Sequence, residues 1–411
     1  MTYKEARQYL KEISKTGSIP GLESVKNLAE VFGNPQKDLT IIHLGGTNGK
    51  GSTLAFLRAM FLKAGYKVGN FSTPAVFDYE EQFQINGENM KPEDLATYVG
   101  KMKEGIQKLL TAGKRAPTVF EVETVLSFLY FKEQKCDVVL LEVGMGGAMD
   151  ATNIIEFPLA CIFTPISMDH MNFLGNSLEE IAKEKSGIIK AGAKVISAPQ
   201  KASVIKILKE KAKAKTDDFY LVKEELIDKM SEKKLALSGL YQNINAATAV
   251  TAATLLRSFF TKLDEDAIEQ GLLAANWPGR FETILDTPRF IIDGAHNPDG
   301  AKALAKSLKF YFTNKRIIYI MGVLRDKEYQ TMLKETVPLA DEVMTITTPT
   351  VRGFDGRELL KEVKKYKENA IYVESIDKAV KRALTLAGKE DIIIAFGSLT
   401  FLGEVKKAIE K

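Results

Sequence analysis

The chain has little of what marks the specialised protein classes. Cys136 and Cys161 are the only cysteines in 411 residues, too few for a disulfide framework. Both sit beside apolar, strand-like runs, so two buried thiols in a reducing cytosol are expected. No stretch approaches about 18 uninterrupted apolar residues, so no membrane span is expected. The first residues, Met1-Thr2-Tyr3-Lys4-Glu5-Ala6-Arg7, lack the apolar core of a secretion signal. Charge of one sign is lacking as well. Lys and Arg number 57 against 53 Asp and Glu, a dispersed net of +4 that speaks against a nucleic-acid partner. There is no internal repeat and no low-complexity tract. At 45% hydrophobic and 27% charged, the chain has the balance of a soluble globular protein, which excludes disorder and collagen-like structure. Its length suggests two or three domains, large enough to bury a core without metal or disulfide staples. The cytoplasm is the expected setting.

Apolar runs of strand length alternate with helical patterns. The clearest strands are 39–44, 138–143, 159–165, 195–198, 290–293, 317–321, 342–347 and 391–396; helical periodicity marks 52–64, 119–131 and 245–260. This alternation predicts α/β architecture with mostly parallel sheets. Helical pattern stops near Asn276-Trp277-Pro278-Gly279-Arg280, and a fresh strand–helix series follows. A larger domain over 1–278 and a smaller α/β domain over 279–411 are therefore expected. The lysine-rich run 201–215 reads as a solvated helix face.

The strand Ile41-Ile42-His43-Leu44 runs straight into Gly45-Gly46-Thr47-Asn48-Gly49-Lys50-Gly51-Ser52-Thr53, and a helix pattern follows. Strand, glycine loop and helix is the context of a phosphate-binding loop: backbone N–H groups and the helix N-terminus favour oxyanions, and Lys50 can reach the outer phosphates. Leu44 stands where the general motif has its first glycine, and Gly51 where Ser or Thr follows the lysine. A second apolar strand, Val138-Val139-Leu140-Leu141, ends in Glu142 and opens into Val143-Gly144-Met145-Gly146-Gly147. A strand-end acid beside a phosphate loop commonly holds Mg²⁺ directly or through water.

These segments resemble the folylpolyglutamate synthase/dihydrofolate synthase family of the Mur ligase superfamily. The resemblance continues in family order through Asp150-Ala151-Thr152-Asn153, Ser167-Met168-Asp169-His170, Glu184-Lys185-Ser186-Gly187-Ile188-Ile189, Gly279-Arg280-Phe281-Glu282 and Asp293-Gly294-Ala295-His296-Asn297-Pro298. It implies a larger N-terminal P-loop ATPase domain and a smaller Rossmann-like C-terminal domain that closes over the active site. It also implies an ATP-driven amide ligase in which the γ-phosphoryl group turns a folate γ-carboxylate into an acyl phosphate that the amine of L-glutamate attacks.

Site roles follow from the resemblance, position by position. Thr47, Asn48, Gly49, Lys50, Gly51 and Ser52 would cradle phosphates. Two Mg²⁺ ions would be held by Thr73, Glu142 and His170. Lys185 would carry a CO₂-derived carbamate. Asn243 would contact adenine, and Arg280, Asp293 and His296 the rest of ATP. Lys50, Glu142, His170 and Lys185 make up the implied catalytic set. Members that also join dihydropteroate to a first glutamate imply a pterin region at Thr118-Val119-Phe120-Glu121 and Met149-Asp150-Ala151. Small-molecule partners only, and a monomer, are expected.

The match has gaps. Ala75 stands where members carry histidine, Gln82 where they carry arginine, and Ala148 where arginine is frequent. These loops face substrates, so the acceptor is left open: a different carboxylate remains an alternative. A non-catalytic nucleotide switch is the other, needing Lys50 and Glu142 but not His170, Lys185 and Asp293 together. A cell-wall ligase with an extra N-terminal domain has no room before residue 45, and the loop does not spell the dehydrogenase Gly-x-Gly-x-x-Gly.

Overall fold

The computed structural model describes residues 1–17 and 21–410. The chain divides into two compact units: Met1–Lys234 with Ile244–Ala275, and Leu235–Asn243 with Asn276–Lys411. Each is α/β with a mostly parallel sheet, the class the alternating pattern predicts.

The first unit holds β1 (Ile41–Gly45), β2 (Val68–Phe71), β3 (Phe83–Ile85), β4 (Glu88–Asn89), β5 (Val138–Glu142), β6 (Ala160–Phe163), β7 (Lys194–Ser197) and β8 (Phe219–Leu221), in the order β4-β3-β2-β5-β1-β6-β7-β8. All neighbours from β2 to β8 pair parallel, and β3 and β4 add an antiparallel edge. β1 and β5 are buried at every residue. Strands covered on both faces need apolar side chains on both, which is why they read as unbroken hydrophobic runs.

Register places Ile41, His43, Val139, Leu141, Cys161 and Val195 on one face. Two apolar clusters lie side by side on it. One is built with helices Tyr3–Ile13, Glu23–Val31, Pro92–Thr111 and Val119–Glu133. The other is built with Leu178–Ser186 and Ala202–Lys213. In the last helix Val204, Leu208 and Ala212 turn inward while the lysines are exposed, the solvated face expected from its sequence. Cys136 and Cys161 are unpaired; Cys161 is buried and Cys136 half-buried.

The second unit holds β9 (Glu282–Asp286), β10 (Arg289–Asp293), β11 (Ile317–Met321), β12 (Glu342–Thr345), β13 (Ala370–Tyr372) and β14 (Ile392–Phe396), in the order β13-β12-β11-β14-β10-β9. Only β9 runs antiparallel to its neighbour. Its core gathers Tyr319, Phe396, Leu304, Met332 and Val343. Leu235–Asn243 joins this unit because Tyr241 packs on that core and the Leu240 amide donates to Ser307 Oγ. No helix among the described residues is long and apolar enough to cross a membrane.

Candidate active site

In a parallel sheet the loops after the strands emerge along one edge. Here β1 lies between β5 and β6, while the chain leaves β1 toward β2 and returns across it from β5 to β6. Such a switch in strand order opens a crevice at the carboxyl ends, where ligands bind in open α/β sheets. The loops that emerge there are Gly46–Gly49 after β1, Ser72–Pro74 after β2, Val143–Gly147 after β5 and Thr164–His170 after β6. They carry Thr47 to Gly49, Thr73 and His170, and Glu142 closes β5 beside them.

The phosphate-type loop is held open by its neighbours. The amides of Thr47 and Asn48 both donate to the Pro165 carbonyl, at 2.9 and 3.2 Å. Thr47 Oγ1 donates to the Ser167 carbonyl at 3.1 Å and accepts from the Ser167 amide at 3.0 Å. The helix that follows begins at Lys50, and the first amides of a helix have no acceptor within it, which favours an anion at that end. Gly46 and Gly49 have φ of 139° and 91°. A Cβ on Gly46 would lie 2.0 Å from Thr164 Oγ1, and one on Gly49 would lie 2.3 Å from Asn245 Oδ1. Both positions therefore require glycine for conformation and for space.

Lys50 Nζ sits 3.7 Å from Glu142 Oε1 and 3.4 Å from the carbonyls of Gly46 and Thr47. Glu142 is buried. Lys185, from helix Leu178–Ser186, is buried as well and donates to the Gly46 carbonyl at 2.9 Å. Burial, reinforced by nearby Lys50, pushes its amine from 10.5 down to about 7. A cation, a carboxylate and an amine near neutrality thus surround one glycine loop.

His170 is placed at the end of the β6 loop with φ of 52°, a conformation rare outside glycine. Its amide donates to Asp169 Oδ1 at 2.8 Å, and its Nε2 lies 3.9 Å from Asp169 Oδ2. Asp169 had no role in the sequence reading; the adjacent Asp-His pair was the signal for it. Gln200 was also missed. It clamps the same loop, accepting from the Ile166 amide at 2.8 Å and donating to the Thr164 carbonyl at 2.9 Å. Nothing local to Gln200 announces this role.

Among the described residues no three His, Cys, Asp or Glu side chains form a metal cage. The set Thr73, Glu142 and His170 offers one hydroxyl, one carboxylate and one imidazole. That donor set fits Mg²⁺, which takes one or two protein ligands and completes its shell with water and substrate phosphates.

Several of the other sequence-derived residues are engaged within the protein. Glu121 accepts from the Thr118 amide at 2.6 Å in a capping box and also meets Arg115. Asp150 accepts from the Met145 amide at 2.8 Å and from the amide and hydroxyl of Thr152 at 3.0 and 2.5 Å. Phe120 faces the loop after Glu142, since a Cβ on Gly144 would lie 2.6 Å from its ring. Met149 is exposed and Ala151 buried. Ala148 packs so closely on Gly187 that a Cβ there would lie 2.4 Å away. Gln82 is buried and donates to the Tyr79 carbonyl at 3.2 Å.

In the second unit Asp293 ends β10 and accepts three bonds: from Tyr241 Oη at 2.7 Å, the Phe281 amide at 2.9 Å and the Ala295 amide at 2.8 Å. Burial nevertheless raises its carboxyl above the ordinary range. Arg280 donates to the Gly279 carbonyl at 3.3 Å, and His296 Nδ1 meets the Gly294 carbonyl at 2.8 Å. Asn243, half-buried, lies in the first turn of helix Gln242–Leu256.

Residues 44–253 match the family model of the Mur ligase middle domain, and residues 279–399 that of the Mur ligase, glutamate ligase domain. The two models in this order define a Mur ligase. The dihydrofolate synthase/folylpolyglutamate synthase of Bacillus subtilis (strain 168) is 34% identical over 431 residues, spanning 99% of both chains. The solved Mycobacterium tuberculosis folylpolyglutamate synthase complexed with ADP superposes with a TM-score of 0.90 at 25% identity, covering 100% of this chain and 99% of that one. The Yersinia pestis bifunctional folylpolyglutamate synthase/dihydrofolate synthase complexed with AMPPNP and Mn ion gives 0.85 at 27% identity, over 100% and 98%. The chain belongs to the dihydrofolate synthase/folylpolyglutamate synthase family of Mur ligases.

Proposed function

We propose that the protein is an ATP- and Mg²⁺-dependent ligase that joins L-glutamate to a pteroyl acceptor, a folate or dihydropteroate, through an acyl phosphate. The observation that carries this reading is the convergence of Lys50, Glu142 and Lys185 on one glycine loop at the strand-order switch. The family supplies the acceptor class, and the ADP and AMPPNP complexes of its members supply the nucleotide. An acceptor carboxylate oxygen would attack the γ-phosphorus, releasing ADP; the glutamate amine would then attack the acyl carbon and expel phosphate. Lys50 would hold the transferring phosphoryl group as a point charge, aided by the helix amides of Lys50 to Ser52. Mg²⁺, when bound by Glu142 with Thr73 and His170, supplies charge neutralisation. Asn243, Arg280, Asp293 and His296 are proposed to complete the nucleotide contacts. Asp293 does so through the backbone it holds.

Lys185 fits the carbamate that the resemblance implies. An amine lowered to about 7 is largely neutral in mildly alkaline solution. Its lone pair can attack CO₂, forming an N–C bond and releasing one proton, and so turn a neutral buried amine into an anion. The test of the whole reading is ADP release with glutamate, using dihydropteroate and tetrahydrofolate separately, with products resolved by mass. Turnover on both identifies a bifunctional synthase, and on tetrahydrofolate alone a polyglutamate synthase. ATP binding with neither acceptor used would refute the pteroyl assignment.

A further inference from the structure

One imidazole lies where an apolar side chain is expected. His43 is fully buried in β1, and register sets it beside Leu141 of β5 and Cys161 of β6. Ile41, Val139, Leu141 and Val195 share its face of the sheet. Burying a polar ring costs free energy unless its atoms are bonded. Nδ1 has no partner among the described residues, while Nε2 lies 2.9 Å from Thr152 Oγ1. Burial, with Lys190 nearby, lowers the ring from 6.5 to about 3, so it is neutral and offers one N–H. An apolar side chain at this position would avoid the cost of Nδ1. The Nε2 bond is therefore what the imidazole contributes.

That bond starts a relay. Thr152 Oγ1 donates to Asp150 Oδ1 at 2.5 Å and therefore accepts from His43. Asp150 is buried; its Oδ1 also takes the Thr152 amide at 3.0 Å, and its Oδ2 takes the Met145 amide at 2.8 Å. Met145 lies in the loop that leaves Glu142. Asp150 also stands near enough to Lys185 for each to influence the other's charge. Backbone pairing holds β1 to β5 as far as Val143, whose amide donates to the Leu44 carbonyl at 2.9 Å. The relay reaches past that point, from the strand that enters the phosphate loop to the loop that leaves Glu142. Resting on the ligase reading, in which Glu142 holds Mg²⁺, we propose that His43 is a positioning residue for the metal–nucleotide site. Acting through Thr152 and Asp150, it fixes the loop that leaves Glu142 relative to the phosphate loop.

The experiment measures the Mg²⁺ concentration for half-maximal binding of AMPPNP, alongside urea midpoints, in the wild type and in paired variants. Thr152→Val and His43→Leu break the relay, whereas Thr152→Ser and His43→Gln keep a hydroxyl and an N–H donor in place. The breaking variants should need about fivefold more Mg²⁺, the scale of one neutral hydrogen bond. Their AMPPNP affinity at saturating Mg²⁺ should stay within about twofold of wild type, as should both properties of the keeping variants. The two breaking substitutions combined should cost no more than either alone, because they cut one chain. A purely structural tie would lower the urea midpoint and leave the Mg²⁺ requirement unchanged; that result in folded variants overturns the proposal. Equal losses in keeping and breaking variants, or additive losses in the double variant, would overturn it as well. Thr152→Val, which keeps the shape of the side chain, decides the matter if His43→Leu does not fold. A wild type that binds AMPPNP without any need for Mg²⁺ refutes the metal reading of Glu142, and this proposal with it. Turnover on no pteroyl acceptor refutes the ligase reading alone, since the binding comparison uses no acceptor.

Discussion

Replacing Lys185 by methionine tests the electrostatics of the site before any substrate is added. The folded protein holds this amine at about 7, against an ordinary 10.5. Between those values the unfolded chain binds the extra proton, so stability contributed by this residue rises with pH from about 7 to about 10.5. Below pH 7 the cost of the buried charge is fully present, and at about 1.4 kcal/mol per pH unit it reaches about 5 kcal/mol at most. From pH 7 to pH 9 the relief is about 2 kcal/mol. Lys185→Met has no such charge, and the Gly46 carbonyl keeps Lys50 as a partner at 3.4 Å.

Urea unfolding in CO₂-free buffer at pH 7, 8 and 9 reads the difference directly. The wild type should gain on the variant as pH rises: the variant is the more stable at pH 7, and the gap narrows by about 2 kcal/mol by pH 9. Adding bicarbonate at pH 8 should raise the wild-type midpoint by mass action and leave the variant where it was. Parallel pH curves for the two proteins would show that Lys185 is not held near neutrality, and the physical case for its carbamate would go with it.

Three further outcomes are expected. Lys50→Ala should lower ADP release about 10²-fold or more by removing the charge beside Glu142; activity within a few-fold of wild type would refute the loop assignment. Gly49→Ala must place a Cβ 2.3 Å from Asn245 Oδ1 at a φ of 91°, so it should lower thermal stability by about 1–3 kcal/mol and weaken ATP binding in calorimetry. Asp293→Ala strips partners from Tyr241 Oη and the Phe281 and Ala295 amides, and should destabilise the second unit by about 3 kcal/mol or more in denaturant. A wild-type midpoint would mean that these bonds are replaced by water.

The central strands were legible because being covered on both faces leaves an unbroken apolar run, as in Val138–Leu141 and Ile392–Phe396. β2 was not, since it contains Gly69 and Asn70. Gly69 lies under Phe131, where a Cβ would meet the ring at 2.8 Å, and Asn70 Oδ1 accepts from Arg58 at 3.3 Å. Both residues answer to partners distant in sequence. Lys185 makes the same point within the site. Lys183, two residues earlier in the same helix, is exposed, whereas Lys185 is buried against a carbonyl 139 residues away. Composition and periodicity assign both lysines to a helix; only docking of that helix on the β1 loop separates them.

The buried acids show how chemistry and scaffolding divide in such loops. Asp150 accepts from Thr152 Oγ1, so that hydroxyl has spent its proton and must accept from His43 Nε2, which lies 2.9 Å away. The tautomer of His43 is thereby fixed with the proton on Nε2. Its Nδ1 is left buried without a partner, and burial keeps the ring neutral with a pKa of about 3. This chain ties β1 to the loop after β5, the two segments that present Lys50 and Glu142. Acids that accept from backbone amides, two each at Asp150 and Asp293 and one at Glu121, resist losing those bonds to a ligand because each orphaned amide would cost about 1–3 kcal/mol. Glu142 instead faces the Lys50 ammonium, with Oε1 3.7 Å from Nζ. The geometry therefore assigns scaffolding to these amide-bonded acids, and among them Asp150 holds the loop that leaves the strand end carrying Glu142.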